Sequence, residues 1–143
     1  MDLSVSMQTT GLTLLVHHSI ERLESASRDL SERDGSAILS IGRTVGDVLI
    51  DEEPRLRPTR VARVLSEQLR DLPSAVICSD VSLLFDPSLA VDPLSLFLDL
   101  ARDRQLIMCW PGTYADDTLF FAVPSHRHHR TWRHPRATII PLR

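Results

Sequence analysis

Apolar residues along the chain fall into two kinds of run. Leu12–Val16, Ala37–Ile41, Ala75–Cys78 and Gln105–Trp110 are short and nearly continuous, as strands buried on both faces of a parallel sheet are. Other runs recur at helical spacing. Ile20, Leu23 and Leu30 mark the packed face of a helix that Ser19 caps, with Glu21 in its first turn, and that ends near Arg33 before Asp34-Gly35. Gly42 leads into a turn of helix through Val45, Val48 and Leu49, and the charged, twice-proline stretch 51–58 reads as a loop. Thr59 then caps a helix carrying Val61, Val64, Leu65, Leu69 and Leu72, closed by Pro73. Asp92 caps another, with Pro93 at its first position and Leu94, Phe97, Leu98 and Ala101 on its buried stripe.

The strand at Gln105–Trp110 meets Pro111-Gly112, a stop signal. Beyond it the pattern turns antiparallel, with Thr118–Val123 pairing across an Asp116-Asp117 turn and Ala137–Ile140 as a terminal strand. Strands alternating with helices predict an α/β fold with a mostly parallel sheet flanked by helices, and 143 residues fit a single domain, 1–143. The apolar share of 43% and charged share of 24% are ordinary for a globular domain, and the apolar runs are too short to span a bilayer. Met1-Asp2-Leu3-Ser4 carries no basic stretch ahead of an apolar one, so a cytoplasmic location is expected. Cys78 and Cys109 fall inside core strands and read as free packing thiols rather than a disulfide or a zinc site.

Candidate chemistry gathers around Ala75–Asp80, where an apolar run ends in a serine and a carboxylate. An acid there stands at the carboxyl edge of the sheet, where open α/β sheets meet their ligands. Asp80 reads either as a magnesium ligand left from a nucleotide site or as a cap for a neighbouring turn. His17, His18 and Ser19 occupy the same edge, after the first strand. They either hold an anion at the helix N-terminus or serve as polar loop residues. A phosphate-binding loop needs eight residues with glycines and a lysine. Here about three residues join strand to helix, no glycine lies between Gly11 and Gly35, and all sixteen basic residues are arginine. No metal or cofactor is expected, with Mg-ATP as the alternative.

The segment 126–136, His-Arg-His-His-Arg-Thr-Trp-Arg-His-Pro-Arg, concentrates charge in a chain of net charge −3. Its histidines lack cysteine partners and helical spacing, so zinc is not expected. Arg127, Arg130 and Arg133 around Trp132 suit either a nucleic-acid backbone with a base stacked on the indole or docking on an acidic protein partner. Arg102 and Arg104, at a helix end, read as a finger toward a neighbour's nucleotide or as complements to the helix dipole.

Asp80-Val81-Ser82-Leu83-Leu84-Phe85-Asp86-Pro87-Ser88-Leu89, then Asp92-Pro93-Leu94, Ala101-Arg102-Asp103-Arg104, Trp110 and Ala122-Val123-Pro124-Ser125-His126 resemble the small P-loop protein of BREX phage-exclusion systems (BrxF type). Pro54-Arg55-Leu56-Arg57-Pro58 extends the likeness, which covers roughly residues 41–130. The resemblance implies an ATPase-like (ASCE-type) core with strand order 5-1-4-3-2 and work inside a multi-protein defence complex against phage DNA. His17-His18-Ser19 stands where that family's phosphate loop would be, Val81 follows Asp80 in place of a glutamate, and Pro111 follows Trp110 in place of a polar sensor. The expected role is therefore a non-catalytic accessory or scaffold subunit with a degenerate nucleotide site, meeting other defence proteins and able to self-associate. The alternatives are an ATPase whose site a partner completes, and a nucleic-acid-binding module that works through the C-terminal segment.

Overall fold

A computed structural model describes residues 11–73, 75–121 and 130–143. The chain runs β1 (Gly11–His17), α1 (Ile20–Asp34), β2 (Ala37–Ser40), α2 (Ile41–Leu49), α3 (Arg57–Arg70), β3 (Ala75–Ser79), α4 (Pro93–Leu100), β4 (Gln105–Ala115), β5 (Thr118–Phe121), β6 (Arg130–Arg133) and β7 (Thr138–Pro141). Short 3₁₀ turns occupy Pro54–Leu56, Ser82–Phe85 and Pro87–Leu89. Among the described residues no helix is long and apolar enough to cross a membrane.

Five strands lie parallel in the order β7-β1-β4-β3-β2. The step from β1 to β2 travels one way across the sheet, and the steps from β2 to β3 to β4 travel back. Right-handed crossovers therefore send their helices to opposite faces. On one face α2, α3, α4 and the 3₁₀ turns bury the larger core, which includes Leu14, Val45, Leu65, Val76, Phe85, Phe97 and Met108. On the other, α1 alone packs Leu23 and Leu30 against Leu15, Ile77, Ile107 and Cys109. Both cysteines are free and buried, as their strand positions imply. Burial pushes the Cys78 thiol up to about 12 and the Cys109 thiol up to about 11, the latter despite a hydrogen bond with Ser27.

Three sequence expectations are corrected. Pro111-Gly112 does not end its strand, because β4 continues to Ala115. Through Pro111 it pairs parallel with β1, and from Gly112 it pairs antiparallel with β5. The glycine allows this change of sheet: a Cβ at Gly112 would stand 1.8 Å from the Phe120 carbonyl oxygen. The terminal strand lies parallel to β1, since the chain returns beside β1 only after the β5–β6 excursion. Helix α3 begins at Arg57, not after Thr59, because Pro58 suits a first helical turn and the preceding 3₁₀ turn feeds straight into it. Part of the basic segment is strand β6, antiparallel to β5, with Arg130 and Trp132 on its inner side.

Asp116 and Asp117 do form the hairpin turn, with φ of 51° and 54°. Positive φ at both central residues is the form whose twist matches two antiparallel strands.

Candidate functional site

His17 and Ser79 end β1 and β3 at the same edge of the sheet, and the residues singled out in sequence collect beyond them. The connection from β1 to α1 is two residues long, His18 and Ser19. The polar groups of Ser19 are matched locally. The His17 imidazole accepts the Ser19 backbone N–H on Nδ1 at 2.9 Å, and the Ser19 hydroxyl accepts the Arg22 backbone N–H at 3.2 Å. The Ser19 carbonyl accepts the Leu23 N–H at 3.1 Å, so Ser19 is the helix cap its sequence position implies. His18 is exposed and stacks on His17 with ring centroids 4.5 Å apart. Desolvation, then the neighbouring His18 and Arg22, hold the His17 imidazole below its ordinary pKa, in keeping with an Nδ1 lone pair that is in use.

Asp80 caps β3 with φ of 56°, a left-handed conformation uncommon outside glycine. Its carboxylate reaches across to β2, where the Ser40 hydroxyl donates to Oδ2 at 2.9 Å. Its carbonyl accepts the Gly42 N–H at 3.0 Å. A Cβ at Gly42 would stand 2.4 Å from Oδ2, so a side chain there would require the exposed Asp80 carboxylate to turn away from Ser40. Asp80 thus ties the end of β3 to the start of α2, one of its two sequence readings. Ser40 and Gly42 were not singled out in the sequence, because only the pairing of β2 with β3 brings them to Asp80. A cleft of about 250 Å³ opens between α1 and this strand end, lined by Ile20, Leu23, Glu24, Asp80, Val81 and Pro111 among others. A neighbouring groove of about 330 Å³ shares Glu24 and Asp80 and adds Arg28 and Arg43.

The C-terminal basic residues lie elsewhere. Trp132 donates its indole N–H to Asp92 Oδ1 at 3.0 Å and meets Trp110 edge-on at 4.9 Å and Phe85 at 5.9 Å. The Arg130 guanidinium sits 5.0 Å above the Trp132 ring and donates to the Val91 carbonyl at 3.3 Å. These two side chains fasten β6 to the N-terminus of α4, while Arg133 is exposed. Arg127, with His126, His128 and His129, lies outside the described residues. Arg102 pairs with Asp99 at 3.0 Å, as suits a helix end. Arg104 instead reaches the carbonyls of Leu69, Pro73 and, at 3.5 Å, Leu72, closing the C-terminus of α3 rather than of its own helix.

Asp117, also missed in sequence, accepts the Tyr114 hydroxyl at 2.9 Å and is joined by the His134 imidazole. Those hydrogen bonds lower the Asp117 pKa, and the bond to Asp117 raises that of Tyr114. Among the described residues no group of histidine, cysteine, aspartate and glutamate is placed to hold a metal ion.

No family model matches the chain, and no curated protein or solved structure matches it either.

Proposed function

We propose that this chain is a non-catalytic accessory or scaffold subunit of a BREX-like antiphage defence complex in the bacterial cytoplasm, built on a P-loop ATPase type of core that has lost its phosphate loop. Counted along the chain, the five parallel strands stand in the order 5-1-4-3-2 that the BREX resemblance implies, with β7 as the fifth. One observation carries the non-catalytic part. Two residues join β1 to α1, and the His17 ring and Ser19 hydroxyl already accept backbone N–H groups there. A phosphate loop surrounds its ligand with such N–H groups over eight residues, so a two-residue connection with two of the nearby donors already taken does not fit a nucleotide phosphate. Asp80, the acid that would meet magnesium, has one oxygen held by Ser40. Phosphoryl transfer depends on positioned charge, and a fold without that site supplies little of it.

The engagement of Trp132 with Asp92 and the aromatic cluster favours packing over base stacking, so a nucleic-acid role draws no support from that residue. The test pairs a genetic with a biochemical measurement. Deleting the chain from its defence locus is expected to return phage plating to the unprotected level, while the purified chain releases no phosphate from Mg-ATP. Unchanged protection would overturn the defence reading. Saturable, magnesium-dependent hydrolysis would overturn the non-catalytic one.

A further inference from the structure

Helices α1 and α3 pack on opposite faces of the parallel sheet, and each leads into one of its strands, α1 into β2 and α3 into β3. Both therefore end at the edge where the strands begin, and they run roughly parallel to each other. Their outward sides carry opposite charge. On α1 one stripe holds Glu21, Glu24, Arg28 and Glu32, all exposed, in the order minus, minus, plus, minus. On α3 the stripe is Arg60, Arg63, Glu67 and Arg70, in the order plus, plus, minus, plus. Steps of three, four and four residues in the first row, and three, four and three in the second, keep each row on one side of its helix. At about 1.5 Å of rise per residue the rows match charge for charge, and only the last positions differ, by about 1.5 Å. The i,i+4 spacing would let Arg28 pair with Glu24 or Glu32 inside α1, yet among the described residues neither pair forms. Of the eight side chains only Arg60 belongs to an ion pair there, with Glu52 at 3.9 Å.

We propose that this chain associates head to tail with copies of itself, the outward side of α3 on one copy lying along the outward side of α1 on the next. Glu21 and Glu24 then face Arg60 and Arg63 of the neighbouring copy, and Arg28 and Glu32 face Glu67 and Arg70. The match holds for helices that run the same way, which is how a copy stacked without inversion presents them. Pairing either stripe with itself across a two-fold axis instead brings together two sides of like net charge. An interface between different sides of two copies is heterologous, so it continues into a ring or an open filament. A nucleic acid would meet the α3 stripe and leave the α1 stripe unmatched, whereas a second copy satisfies both. The net charge of −3 also gives the chain no long-range attraction to a polyanion. Exposed ion pairs contribute little singly, so the association is weak and sensitive to salt. It rests on neither the defence reading nor the loss of the phosphate loop.

Sedimentation velocity of the full chain is the test. At about 0.5 mM protein and about 25 mM salt the average mass is expected to pass that of a dimer, and at about 300 mM salt to fall back toward the monomer, because the screening length shortens severalfold. Two variants each remove one side of the interface. Arg63→Gln with Arg70→Gln neutralises α3, and Glu24→Gln with Glu32→Gln neutralises α1. Each variant alone should stay monomeric in low salt. Mixed in equal amounts they are expected to form a heterodimer that grows no further, since each keeps the stripe the other lacks, and that dimer also shows both variants folded. A monomer at every concentration in low salt, a closed dimer in place of growth, or growth that the substitutions leave unaltered would overturn the proposal. So would a mixture that stays monomeric, or growth that appears only once a short DNA duplex is added.

Discussion

The imidazole of His17 accepts the backbone N–H of Ser19 at 2.9 Å, so the last residue of β1 closes the turn that begins α1. The adjacent hydroxyl of Ser19 completes the cap by accepting from Arg22. Ser19→Ala is expected to cost about 1 kcal/mol, and Ser19→Asp to keep most of the stability, because aspartate caps equally well. Urea unfolding midpoints measure both.

Acid should weaken the same turn. The folded-state pKa of His17 lies below its unfolded value of about 6.5, so between those values the unfolded chain binds the proton more readily. Stability from this residue is present above pH 6.5, falls as the pH drops toward the lower folded value, and levels off beneath it. His17→Asn is expected to make stability fall less steeply between pH 7 and 5 than in the unsubstituted protein. An unchanged slope would remove His17 from the account.

Gly42 and Asp80 should prove energetically coupled. Gly42→Ala places a methyl group 2.4 Å from Asp80 Oδ2, so the exposed carboxylate must turn away from Ser40, at a cost of about 1 kcal/mol for the lost hydrogen bond. Asp80→Gly removes the obstruction and suits the φ of 56°. In that background Gly42→Ala should be nearly neutral, giving a double-mutant coupling of about 1 kcal/mol.

At Gly112 no side chain can step aside, because the obstacle is the Phe120 carbonyl at 1.8 Å. Gly112→Ala must part β4 from β5 and is expected to cost about 3 kcal/mol or more. The Trp110 indole, which donates to the same carbonyl at 3.0 Å, gives a fluorescence signal to follow the loss.

Much of this fold was legible in the sequence because burial on both faces leaves continuous apolar runs. Leu12–Val16, Ala75–Cys78 and Gln105–Trp110 all fall within strands of the parallel sheet, and Ser19 and Asp92 cap the helices they precede. What misled was local chemistry answering a distant need. Pro111-Gly112 has the composition of a turn, yet the glycine is there to let β5 approach. Strand β6 hides in an arginine-rich segment because only alternate residues face inward, and one of those is Arg130, covering Trp132. At the candidate site, Asp80, His17 and Ser19 could be named from strand ends alone. Ser40, Gly42 and Glu24 could not, since nothing in their own surroundings marks them: the pairing of β2 with β3 brings the first two to Asp80, and the packing of α1 brings Glu24 to the same groove.

Thermal unfolding of the purified protein with and without Mg-ATP tests the central claim most directly, because a ligand that binds only the folded state must raise the midpoint. With the β1–α1 turn closed by His17 and Ser19, the midpoint at millimolar nucleotide should match that without it. A rise of about 4 °C or more, equivalent to roughly 1 kcal/mol or more in a domain of this size, would contradict the loss of the nucleotide site.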